Sequence, residues 1–294
     1  MKFIWYYIRF FVPSQPKMNK MKKSVLFLIA LMLLLNGCTN TYNQLIKTQD
    51  NDLKYESAKQ LFAMGKYQKA AYLLDQTVTF NKGSDRGPEN LYMIAMAQYN
   101  MADYTTAAEY FRKYATSYPK GSFAELARYY YAKSLCLSTP EPRLDQTETV
   151  AAMKAYQEYL DIYPDAKFKE TAQNEMFMLQ DKLVKKEYLN AKLYYNMGGY
   201  FGNCTSGGNN YESCIITAQN ALKDYPYTEL REDFYLLIMK SKYELAQQSV
   251  EEKKMDRFRD AEDECYGFIN EFPDSKNVAL AEKYIAQCKK YIKD

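Results

Sequence analysis

Apolar and polar positions in this chain follow a repeated helical pattern that stops each time at an aromatic residue followed by proline. The dipeptides are Tyr118-Pro119, Tyr163-Pro164, Tyr225-Pro226 and Phe272-Pro273. Twelve residues before each proline stands a small residue: Ala107, Ala152, Cys214 or Ala261. Fifteen before stands Tyr104, Thr149, Tyr211 or Phe258, and five before stands Tyr114, Tyr159, Ala221 or Phe268. Positions at these offsets share one helical face. The small residue lets a neighbouring helix approach, and the larger ones fill the groove around it. Proline then ends the helix, because it has no N–H to donate and disfavours α geometry in the residue before it.

The prolines are 45, 62 and 47 residues apart. That period exceeds the roughly 34 residues of a tetratricopeptide repeat, and longer helices and loops absorb the difference. An earlier copy begins at Tyr67, with Ala70 and Leu74, but lacks the terminal proline. The expected fold is all-α, a right-handed α-superhelix of about five tetratricopeptide-like helix pairs.

Taken in order, the pattern predicts helices over 55–62 (closed by Gly65), 67–80, 89–100 and 104–118, with a loop over 81–88 that holds Gly87 and Pro88. Ser122 with Glu125 reads as a capping box that opens a helix to 137, and Asp145 with Glu148 reads as a second N-cap. A helix striped by Phe168, Ala172, Met176, Leu179 and Leu183 meets no Gly or Pro before Gly198. It would run about 45 Å, long enough to serve two modules. Residues 198–210, rich in Gly and Asn, read as a flexible insertion without the pattern of a phosphate loop. Phe234, Ile238, Ser241 and Leu245 stripe a later helix; Val278, Ala281, Ile285, Cys288 and Ile292 stripe the last. The outer face of that last helix would be covered by a partner or by the chain's own end. The expected modules are 51–165 and 211–294, joined by a connecting helix over 166–197 and the insertion over 198–210.

The first residues follow a different logic. Residues 1–17 are aromatic-rich, interrupted by Arg9 and stopped by Pro13, and read as a gene-model extension ahead of Met18 or Met21. Residues 18–37 form a secretory signal, with Lys22 and Lys23 before an apolar run over 25–35. That run falls short of the roughly 20 residues a membrane span needs. It ends in Leu35-Asn36-Gly37-Cys38, which resembles the lipobox of bacterial lipoproteins and marks Cys38 for lipid attachment. Stable anchoring takes more than one acyl chain. Residues 38–50 then read as the lipidated N-terminus and a polar tether.

Composition narrows the chemistry. The 294 residues include no histidine, which removes His-based triads, dyads, zinc motifs and proton shuttles. Six of the 39 basic residues lie in 1–37, which leaves 33 against 36 acidic and no basic stripe for nucleic acid. The carboxylates lie at helical spacing beside Lys and Arg, as on a solvated face. Cys136, Cys204, Cys214, Cys265 and Cys288 make no CxxC pair, so neither a metal nor a cofactor is expected. Cys204 and Cys214 bracket the insertion and are close enough in sequence for a disulfide in an oxidising compartment. Cys214 also fits a packed core slot, and both readings stand at this point. With 30 tyrosines, rings should pack between helices and leave some over for contact. Tyr129, Tyr130 and Tyr131 span most of a helical turn, so at least one ring points away from its own packing face. Tyr129 and Tyr131 are therefore candidate partner contacts.

In this order, the signal, the tether and the repeats resemble the BamD family of the outer-membrane β-barrel assembly machinery. The resemblance covers nearly all of the chain after Cys38. Its carriers are YESAKQLFAMGKYQKA over 55–70, Gly87-Pro88, and LDQT over 144–147, as in Bacteroidetes-type members. Leu183, Glu187, Ala191, Tyr194 and Tyr195, followed by Tyr225-Pro226, complete it. The resemblance implies a non-enzymatic scaffold, lipid-anchored on the periplasmic face of the outer membrane. Its partners would be a BamA-like barrel protein, through its POTRA domains, and unfolded outer-membrane proteins. Asp145, Glu187, Tyr194 and Tyr195 join the candidate contacts. The family has an Arg before the Gly that ends the long helix, where this chain has Met197, so contacts here should lean on apolar and Tyr groups. Two other readings stay open: a glycan-binding lipoprotein of the SusD kind, which needs long excursions carrying aromatic platforms, and a superhelical peptidoglycan lyase, which needs a separate catalytic domain.

Overall fold

The structure, a computed structural model, describes residues 42–200 and 209–292. A short helical segment over 42–47 precedes eleven helices. These are α1 (Asn51–Ala63), α2 (Tyr67–Asn81), α3 (Arg86–Asn100), α4 (Tyr104–Ser117), α5 (Ala124–Ser138) and α6 (Thr147–Ile162). They continue as α7 (Lys169–Met197), α8 (Asn210–Asp224), α9 (Arg231–Gln247), α10 (Glu251–Glu271) and α11 (Val278–Ile292). The fold is all-α and built of tetratricopeptide-like helix pairs. No described helix is long and apolar enough to cross a membrane.

The aromatic–proline dipeptides form one corner, made four times. Tyr118, Tyr163, Tyr225 and Phe272 hold φ between −127° and −132° and ψ between 60° and 74°. Each donates its N–H to the carbonyl four residues back, on Tyr114, Tyr159, Ala221 or Phe268. Each carbonyl then accepts from the residue three on: Gly121, Ala166, Thr228 or Ser275, at 3.0–3.3 Å. The carbonyls of those residues accept from Ala124, Lys169, Arg231 and Val278, the first residues of the next helices, at 3.0–3.2 Å. The first N–H of each new helix, an orphan donor, is thus satisfied by backbone. The slots behind the corners are buried as the spacing predicts: Ala107, Ala152, Cys214 and Ala261 expose no surface. Of the aligned larger residues, only Tyr104 is half-exposed.

Three local expectations fail. Ser122 does not cap α5: the N-cap is Phe123, with no side-chain cap bond. The corner already fixes where the helix starts, and the Phe123 N–H goes instead to the Tyr114 hydroxyl at 3.1 Å. Gly87 and Pro88 are not loop but the first turn of α3, where a missing N–H costs nothing because that donor would be an orphan. Asp145 is not the N-cap of α6 either, since Gln146 holds that position without a side-chain cap bond, although Asp145 accepts from the N–H of Thr147 at 2.9 Å.

The backbone falls into two compact units, divided between Ala97 and Gln98 within α3. The modules drawn from repeat register are a separate division. In the first unit α1 packs on α2, and Tyr55, Ala58, Leu73, Leu74 and Ile94 are buried. The segment over 42–47, expected as tether, is helical, and Tyr42 donates its hydroxyl to the Lys69 carbonyl at 3.3 Å.

In the second unit α7, 29 residues long, packs on α6 at one end and on α8 and α9 at the other. Ala172 and Leu179 join a core with Tyr129, Ala152, Tyr156 and Tyr159. Val184 and Ala191 join another with Cys214, Ala218, Phe234 and Ile238. Val184, and not the expected Leu183, is the buried residue there. One helix therefore serves two repeat cores. The stripe on α11 faces inward: Ala281 and Ile285 pack with Met239, Cys265 and Phe268, and Cys288 packs with Phe258 and Ala261. The chain's own helices cover this stripe; Tyr291, on the same helix, stays 45% exposed.

The small slots set a stability test. Ala152→Leu should cost about 1–3 kcal/mol, because a fully buried slot has no room for three more carbons. Val150→Leu, two residues away and 55% exposed, should stay within about 0.5 kcal/mol. Urea unfolding followed by circular dichroism reads both.

Candidate partner-binding surface

The third corner departs from the others. The residue after proline is Lys120, Asp165 and Asp274 in three copies, all exposed, as suits a solvated turn. In the third it is Tyr227, whose side chain is 97% exposed. The packing behind it differs too. Three corners set ring against ring, with centroids 5.6 Å apart for Tyr114 and Tyr118, 5.8 Å for Tyr159 and Tyr163, and 5.3 Å for Phe268 and Phe272. The third has Ala221 in place of the inner ring. Tyr225 and Tyr227 instead line a groove of about 220 Å³ with Phe177, Gln180, Asp181 and Val184 of α7. Phe177 and its neighbour Met178 are largely exposed, at 64% and 67%. Burial pushes the Tyr225 phenol up, and the nearby carboxylates of Asp224 and Glu187 push it further. Apolar side chains line the groove together with Gln180, Asp181 and Thr228, and Asp224 and Glu187 lie near Tyr225.

The residues expected to meet a partner are scattered over the second unit. Glu187 lies near this groove through Tyr225. Tyr194 and Tyr195 are half-buried against the core of α7, α8 and α9, and Tyr195 meets Tyr211 edge to face at 5.9 Å. They serve the fold first. Tyr129 is a correction: it is 3% exposed, stacked on Phe168 at 4.5 Å, and belongs to the core. In the Tyr129–Tyr131 run the inward ring is Tyr129, while Tyr131 lines a cleft with Arg112 and Arg128. Asp145 is exposed, and its bond to Thr147 holds its carboxyl below the usual range. The loop it belongs to is tied to α7, since Lys182 donates to the Thr139 hydroxyl at 2.5 Å and Lys186 to the Leu144 carbonyl at 2.6 Å. Cys38 and Cys204 lie outside the described residues. Cys214 is fully buried, and burial pushes its thiol up.

Both ends of the insertion are fixed. Gly198 has φ +41°, and a Cβ there would meet the Tyr211 hydroxyl at 2.4 Å. The Asn210 side-chain amide donates to the Gly198 carbonyl at 3.0 Å, and Asn209 caps α8 through the N–H of Tyr211 at 2.8 Å. Only glycine suits that position.

Sequence reasoning missed two polar clusters. In the first unit Glu89 accepts from the Tyr55 hydroxyl at 2.6 Å and pairs with Lys59 at 2.8 Å. Arg86 lies over the Tyr55 ring, 5.2 Å from its centroid, and pairs with Asp52 at 2.5 Å. In the second unit Glu175 accepts from both Lys133 and the Tyr156 hydroxyl, linking α5, α6 and α7. Burial, with Glu175 beside it, raises the Tyr156 phenol far above its ordinary value. Each cluster joins residues 19 to 42 apart in the chain, and helical periodicity carries no signal of such pairings. Among the described residues no group of three His, Cys, Asp or Glu could hold a metal ion.

Residues 47–207 match the family model YfiO, described as an outer membrane lipoprotein. No curated protein matches the chain. Among solved structures it is similar to the yeast histone chaperone Hif1, described as a scaffold protein recruiting protein complexes to core histones. That likeness has 16% identity over 83% of this chain and 93% of the other, with a TM-score of 0.27, and bears on nothing further.

Glu89 gives a pH test. Burial alone would raise its pKa, but the bonds from Lys59 and Tyr55 outweigh it and the net shift is below 4.5. A depressed carboxyl stabilises above its unfolded pKa, and that contribution is lost as pH falls through the folded value. Both side chains of the Lys59–Glu89 pair are 37% exposed, so Glu89→Gln should cost no more than about 1 kcal/mol at pH 7. The gap to the unmodified protein should close as pH falls below 4.5, read by urea midpoints across that range.

Proposed function

Because the chain belongs to the YfiO family of outer membrane lipoproteins, we propose that it is a lipid-anchored scaffold subunit of the β-barrel assembly machinery. It docks on the POTRA domains of a BamA-like protein and helps deliver unfolded outer-membrane proteins. Its work is binding and not catalysis, which agrees with a chain that has no histidine. Cys38 carries the acyl chains that hold it on the periplasmic face of the outer membrane.

The observation that carries the docking contact is the groove of Phe177, Tyr225 and Tyr227. An exposed aromatic pair on pre-formed helices binds a folded partner with little ordering cost. Tyrosine and other large aromatic residues are typical anchors at such centres. Tyr194 and Tyr195 lie further along α7, packed on the core it shares with α8 and α9, and contribute position more than contact. With Met197 where the family has Arg, the contact leans on apolar area, and salt acts weakly on it.

Two measurements follow. Mass spectrometry of the mature protein should find acyl chains on Cys38 as its first residue; an unmodified start elsewhere, with a soluble product, would refute the anchor. Titration of the lipid-free chain (Cys38→Ser, lacking residues 1–37) with POTRA domains of the same organism should give micromolar or tighter binding. Tyr227→Ala and Phe177→Ala should each weaken it ~10-fold or more, with only a mild effect of salt. Unchanged affinity in both variants, or no binding at micromolar concentration, would sink the assignment.

A further inference from the structure

A second cleft, of about 230 Å³, opens where α4, α5 and α6 meet. Arg112 of α4 and Arg128 and Tyr131 of α5 line it, with Ala115 and Ala155 also in its wall and Glu158 of α6 beside them. Neither arginine has a carboxylate within ion-pair distance among the described residues. The Nε of Arg128 is buried and has no hydrogen-bond acceptor there. An arginine shielded from water on one side is less well solvated than a free one, so an anion at its open end gains more.

This cationic pair belongs to one copy alone. Counting from the prolines, the register position of Arg112 holds Gln157, Gln219 and Tyr266 elsewhere, and that of Arg128 holds Gln173, Tyr235 and Glu282. The shared architecture therefore does not require either charge. We propose that the cleft binds a carboxylate side chain, Asp or Glu, presented by a protein segment lying across α4–α6. Charge selects the ligand: two arginines and Glu158 leave one net positive charge, which a carboxylate neutralises and a phosphate dianion exceeds. Size allows it, since a cleft of about 230 Å³ has room for an Asp or Glu side chain. Its alanine walls suit the methylene stem, and Tyr131 lines the cleft beside the arginines. The site is separate from the Tyr227 groove and does not rest on the identity of the docking partner.

The test uses the lipid-free chain, Cys38→Ser, and the side-chain N–H resonance of Arg128, which slow exchange makes visible because its Nε is shielded from water. N-acetylglutamate N-methylamide, titrated at constant ionic strength, should shift that resonance saturably. The glutamine analogue should bind ~10-fold more weakly or not at all, since charge-assisted bonds are about twice as strong as neutral ones. Arg112→Gln, at an exposed position, should abolish the shift while the remaining spectrum keeps its dispersion. A shift without saturation, or equal response to the glutamine analogue, overturns the proposal. Tighter binding of glycerol phosphate overturns it in favour of a lipid headgroup.

Discussion

The structure depends on what happens when a helix meets an aromatic residue and then a proline. Proline cannot donate, and it pushes the residue before it out of α geometry. That residue answers in the same way each time: its N–H closes the old helix and its carbonyl starts the turn. The next helix opens five residues after the proline, at Ala124, Lys169, Arg231 and Val278. The turn is thus held by a shared set of backbone bonds, to which the Tyr114, Thr228 and Ser275 hydroxyls add acceptors. The slot behind each corner stays small because two helices must approach there. Ala152 with Ala132 and Ala172, and Cys214 with Ala191 and Ala218, each fill such a crossing without leaving a void.

Repetition of the corner would give a plain stack, and polar clusters add what the stack lacks. Glu175 of α7 reaches both Lys133 of α5 and Tyr156 of α6. The Lys133 and Glu175 side chains are only 27% and 15% exposed, so losing one would strand the other partly desolvated. Lys242 and Glu264, at 2.7 Å and 25% and 16% exposed, bind α9 to α10 in the same manner. Such pairs contribute little net stability over apolar packing, but they allow one register between helices and penalise others.

The repeat face was legible because it is local: offsets of three, seven and ten residues within one helix decide it. The long α7 was legible from the lack of Gly and Pro before Gly198. What failed to show depends on neighbours far off in sequence. Tyr129 and Tyr131 are two positions apart on one helix, and only the arrival of Phe168 and Tyr159 decides that Tyr129 turns inward. Ser122 had a capping pattern, but the corner had already settled the helix start. The stripe of α11 was legible, but its packing on α9 and α10 is a pairing that the stripe itself does not specify. Tyr194 and Tyr195 looked available at the end of a helix until α8 packed beside them.

A repeated frame also supplies its own control, because each copy shows what the architecture needs at a given position. Where three corners place Lys or Asp after the proline, Tyr227 cannot be explained by the turn. Where three copies set an aromatic ring against the corner residue, Ala221 cannot be explained by packing density. The two departures fall in the same copy, and the side of Tyr225 that lacks an inner ring partner is matched by a groove toward Phe177. A tyrosine held 97% in water gains no burial from folding. The fold would be no worse with a charged residue there, as Lys120, Asp165 and Asp274 show. Departures from register at fully exposed positions are therefore not set by the fold, whereas departures at buried positions, such as Cys214 in a slot filled elsewhere by alanine, report on packing.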